Sequence, residues 1–138
     1  MPPAPTVAAL LATADDLLAE RPDGDGPLTP TGRDRGAAYA LRIALEMAVD
    51  AVLTAQEAGL VAVTTRAKLL CLRHYAGPVR ARRVNALWNR LSGACKYHHD
   101  ELGPTHVQVR TWRAAVETLV TELSEPHTDV GFPQQRGT

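Results

Sequence analysis

The stretch AAYALRIALEMAVDAVLTA, Ala37–Ala55, decides how this chain folds. Its apolar residues cover more than half the circumference of a helix, and a surface helix needs only one apolar stripe. It therefore reads as a central helix, touched on several sides. Thr31 is placed to cap it, with Asp34 three residues further on, and Gly59 is placed to stop it just after Ala58.

The pattern continues outward in both directions. Upstream, Val7, Leu10, Leu11, Ala14, Leu17 and Leu18 recur at three- and four-residue spacing, which predicts a first helix from Thr6 to Glu20. The intervening RPDGDGPLTPTG, residues 21–32, is rich in proline and glycine and reads as a flexible connection. Downstream, Thr64 or Thr65 caps a third helix through Tyr75, closed by Gly77-Pro78. A fourth follows at once, with Val84, Leu87, Trp88, Leu91, Ala94, Cys95 and His98 on one arc. Thr105-His106-Val107-Gln108 has the form of a capping box and opens a fifth helix, whose stripe is Val109, Trp112, Val116, Leu119, Val120 and Leu123. These elements predict an all-α chain with a single helical domain over residues 1–124 and a mobile tail over 125–138.

Composition supports that class. Only 4% of the 138 residues are aromatic, so Leu, Val and Ala must build the core. No apolar run approaches the roughly 20 residues that span a bilayer, and the N-terminus lacks a secretory pattern, so the expected location is cytoplasmic. Cys71 and Cys95 have no CxxC spacing and are expected to be buried free thiols. No Gly-rich phosphate loop, Ser-His-Asp arrangement or βαβ alternation is present, and no cofactor is expected.

The net charge of zero conceals a strong segregation. Residues 1–60 carry 4 basic and 9 acidic side chains, residues 61–99 carry 8 basic and no acidic ones, and residues 100–138 carry 3 basic and 6 acidic. The middle block holds Arg66, Lys68, Arg73, Arg80, Arg82, Arg83, Arg90 and Lys96. It can meet phosphate, or it can pair with acidic segments of this chain or of a second copy. Apolar positions on helices two and four, together with these complementary segments, predict a homodimer with an isologous contact.

Near the end of the basic block, His98 and His99 stand side by side. On the fourth helix His98 would point with Trp88, Leu91 and Cys95 into the core or an interface, and His99 would lie at the edge of that face. Adjacent helical histidines diverge too far to hold one metal ion, and the i, i+4 pairing of helical zinc sites is missing, so no metal site is expected.

The segment ALWNRLSGACKYHHDELGPT, residues 86–105, followed by VQVRTWRAAVETLV, residues 107–120, and preceded by the long apolar helix, resembles the HEPN-like helical bundles of prokaryotic toxin–antitoxin and phage-defence systems. The resemblance covers about residues 33–124. It implies an up-and-down bundle of four to five helices, often dimeric, with metal-independent RNA cleavage in active members. Their catalytic arginine precedes a histidine by four to six residues. Here seven residues separate Arg90 from His98, and eight separate it from His99.

Three functions follow. The first is a non-catalytic HEPN-like bundle that acts by dimerising and binding a partner protein or nucleic acid, with Arg80, Arg82, Arg83, Asn89, Arg90 and Lys96 as the contact set. The second is a ribonuclease in which His98 or His99 moves the proton and Arg90, with Lys96 or Asn89, holds phosphate. The third takes residues 65–76, the Gly77-Pro78 turn and the helix from Val79 as a helix-turn-helix, with Arg80, Arg82, Arg83, Asn85 and Asn89 on DNA. The binding bundle ranks first and the DNA reader last.

Overall fold

The computed structural model describes residues 5–19, 29–56, 64–96 and 103–125. Five helices and no strand occur among them: α1 (Val7–Leu18), α2 (Pro30–Ala55), α3 (Thr65–Ala76), α4 (Pro78–Cys95) and α5 (His106–Ser124). The chain is all-α. The expected tail, apart from Glu125, lies outside the described residues, as does Gly59.

Helix α2 is the axis of the bundle and packs against each of the other four helices. Its buried residues run Asp34, Ala37, Ala38, Leu41, Ala44, Leu45, Ala48, Val49 and Leu53, a repeat of three and four with Ala40 added. Leu41, Leu45, Leu72, Leu91, Val84, Val109 and Val116 lose all contact with water, and one apolar cluster joins the five helices. The neighbours follow one another around α2 as α1, α5, α4 and α3, with contacts between each successive pair.

The start of α2 differs from the sequence expectation. Thr29, not Thr31, is the N-cap, and its hydroxyl accepts the Gly32 N–H at 3.0 Å. Pro30 then occupies the first turn, where a missing N–H costs nothing and the fixed φ suits a helix. The last three residues of the supposed connection are thus helical. Asp34 lies a full turn inside α2, too far along to join that cap. It is 9% exposed, and its Oδ1 faces His106 Nδ1 at 2.8 Å, which ties α2 to the first turn of α5.

The other helix ends are closed by local chemistry. Thr6 and Thr64 cap α1 and α3, and the Thr105/Gln108 capping box is fully formed. An Arg33 N–H donates to the Ala19 carbonyl at the end of α1. Arg113 on α5 holds both Asp15 oxygens on α1, at 2.7 and 2.8 Å.

Gly77 alone separates α3 from α4. It has φ 89° and ψ 155°, a backbone region that residues with a Cβ scarcely enter. Its N–H closes α3 on the Arg73 carbonyl, and its own carbonyl receives the Ala81 N–H of α4. One residue thus ends one helix and begins the next. Gly77→Ala is expected to destabilise the protein by about 1–3 kcal/mol through strain at this φ, measured as a lower urea midpoint with an unchanged slope.

Candidate functional site: the groove between α3 and α4

The basic block occupies α3 and α4, and helical geometry divides it. Arg82 and Arg83 are neighbours in sequence, yet a step of about 100° sends them to opposite flanks of α4. On one flank, Glu122 of α5 receives two bonds from Arg83, at 2.7 and 3.1 Å, and lies 3.4 Å from Arg80. Lys68 of α3 meets Asp50 of α2 at 2.7 Å. Arg80, Arg83 and Lys68 are therefore neutralised within the fold.

On the other flank, α3 and α4 enclose an open groove of about 440 Å³. Helix α3 contributes Arg66, Leu69, Leu70 and Arg73, spaced i, i+3, i+4 and i+7 along one face. Helix α4 contributes Ala81, Arg82, Asn85, Trp88 and Asn89. The three arginines are exposed, and among the described residues none of them pairs with a carboxylate. No Asp or Glu is among the residues that line the groove, whose polar side chains are Arg66, Arg73, Arg82, Asn85 and Asn89.

Its floor is apolar. Leu69 is 5% exposed and Ala81 2%, whereas Leu70 stands at the lip with 68% of its surface in water. Trp88 Nε1 donates to Glu46 of α2 at 2.7 Å. This bond anchors the ring and uses its only donor, leaving carbon surface to line the groove.

Of the contact residues expected from sequence, Arg82 and Asn89 line the groove together, and Arg80 and Arg83 do not, because Glu122 holds them on the opposite flank. Arg90 and Lys96 are exposed on α4 and its C-cap, away from the groove. Arg66 and Arg73 were not in the expected contact set. The signal for them was present, since both carry charge on the same α3 face as Leu69 and Leu70.

Helix α4 ends at Cys95, and Lys96 is extended. The helical arc drawn through His98 therefore has no support beyond Cys95. His98 and His99 lie outside the described residues, so no pairing with Arg90 is established. The two cysteines are free but half-buried rather than buried. Burial raises the Cys95 thiol above its ordinary pKa, which suppresses the reactive thiolate. The one-residue α3–α4 connection is shorter than the roughly three- to four-residue turn of a helix-turn-helix. Two of the arginines proposed to read DNA face α5 instead.

No family model, curated protein or solved structure matches this chain.

Glu122 supplies a test of the neutralised flank. Hydrogen bonding from Arg83, reinforced by the charges of Arg83 and Arg80, lowers its pKa below the ordinary 4.5. A depressed carboxylate stabilises the fold above the unfolded-state value, and that stability is lost as pH falls through the folded-state value. Below pH 4.5 the urea midpoint of the wild type should fall more steeply than that of Glu122→Gln, the two converging in acid. The pair is solvated, so the difference at neutral pH should stay below about 1 kcal/mol.

Proposed function

We propose that this chain is a non-catalytic, HEPN-like up-and-down bundle that works as a cytoplasmic homodimer and captures an anionic partner in the α3/α4 groove. The observation that carries the reading is the division of the basic block. Arg80, Arg83 and Lys68 are matched by carboxylates of the same chain, whereas Arg66, Arg73 and Arg82 converge on one groove where, among the described residues, no carboxylate meets them. Unmatched guanidiniums around a shared depression bind anions through directed N–H donors.

The order of the helices and the patterned segment at residues 86–105 support the HEPN-like assignment. The complementary charge segments of the chain, acidic over residues 1–60 and 100–138 and basic over residues 61–99, suit an isologous contact between two copies. Light scattering of the full chain is expected to give twice the 14.9 kDa protomer mass. A monomer at high concentration would remove the dimer.

Labelled polyglutamate tests the groove without presupposing a particular partner. Anisotropy at low salt should show binding that weakens as salt screens the charges. Combined Arg66→Gln, Arg73→Gln and Arg82→Gln should lower affinity by about tenfold or more, while Arg83→Gln leaves it nearly unchanged. Failure of polyglutamate to bind, or equal losses in both variants, removes the groove as the recognition surface.

A further inference from the structure

The groove carries more than charge, and its apolar content selects among anions. Arg66 and Arg73 stand seven residues apart on α3, a separation of about 10.5 Å along the helix axis. Leu70 lies between them, exposed, above a floor containing Leu69 and Ala81. Across the groove stand Arg82 and Asn89, also seven residues apart. The surface is thus an apolar strip two helical turns long, flanked on both sides by donors.

We infer that the occupant of this groove is an acidic amphipathic helix of another protein, an assignment that rests on the anion-binding reading above. Such a helix presents leucine-type side chains at i, i+3, i+4 and i+7, with carboxylates beside them at the same pitch as the arginines. Its apolar stripe covers Leu70 and the strip beneath, and its carboxylates meet Arg66, Arg73 and Arg82 in two-pronged bonds. The tied indole N–H of Trp88 fits this occupant, because the ring offers carbon contact without asking for an acceptor.

A duplex nucleic acid matches the cations but not the strip, since its phosphates and sugars leave Leu70 without an apolar partner; a single strand, whose bases can stack on carbon surface, is told apart by the oligonucleotide probe below. An amphipathic helix whose leucines span i to i+7 covers the two-turn strip with carbon while its flanking carboxylates reach the arginines.

The experiment uses the full chain and three labelled probes. The first is a peptide of about 18 residues, five helical turns, with leucine at i, i+3, i+4 and i+7 and glutamate on its flanks. The second has the same glutamates with each leucine replaced by alanine. The third is a single-stranded oligonucleotide of equal charge. Isothermal titration is expected to show the leucine peptide binding about tenfold or more tightly than the alanine peptide, as loss of a buried anchor implies. Leu70→Ala should remove most of that advantage by weakening the leucine peptide far more than the alanine peptide, and should preserve the melting temperature, since Leu70 is 68% exposed and lies outside the core cluster. Equal affinity for the two peptides, or tighter binding of the oligonucleotide, overturns the helix assignment and leaves the anion-binding reading standing. Failure of every probe, polyglutamate included, overturns both. If Leu70→Ala converts a dimer to a monomer in light scattering, a second copy occupies the groove and the assignment to another protein is overturned.

Discussion

Every helix of this protein depends on the burial of α2. Leu41 and Leu45 are sealed from water only because neighbours pack on several sides, and the alanines at 37, 38, 40, 44 and 48 let those neighbours approach closely. Fully burying a leucine side chain contributes about 1.5–3 kcal/mol, so a central helix of this composition drives the closure of the ring around it. The outer helices then need only one apolar face each. Val84, Leu87 and Leu91 provide it on α4, and Val109, Val116 and Leu119 on α5.

That packing sets the charges. Once α4 turns Val84 and Leu91 toward α2, its remaining faces have no freedom: one flank meets α5 and the other meets α3. Arg83 consequently reaches Glu122, and Arg82 is directed into the groove. Gly77 completes the constraint. A single residue with φ 89° joins α3 to α4, so the two basic faces remain side by side. A longer connection would free α3 from that alignment and weaken the convergence of Arg66, Arg73 and Arg82.

The two flanks of α4 illustrate how the same residue type performs different tasks. Arg80 and Arg83 sit beside a carboxylate of α5, a solvated contact of modest energetic value that orients the helix pair. The groove arginines have an apolar floor beside them and an exposed leucine between two of them. Cationic side chains around carbon surface are suited to a ligand that is itself amphipathic. Trp88 links this surface to the axis of the bundle through its bond to Glu46.

Much of this was legible in the sequence. Spacing of three and four placed the helical stripes, Thr105 with Gln108 marked the start of α5, and Gly77-Pro78 marked the boundary between α3 and α4, because caps and periodicity are local properties. The N-cap of α2 was misplaced by two residues, since Thr29 and Thr31 both flank Pro30 and only the first leaves proline in the opening turn. The basic block was equally plain as a run of residues, but its division was not. Which arginine meets a carboxylate depends on Glu122 and Asp50, 39 residues from Arg83 and 18 from Lys68 in the chain. Sequence determined the helices and the surplus of charge; only tertiary packing, by turning α4 about its buried stripe, decided which cations were neutralised and which were left facing the groove.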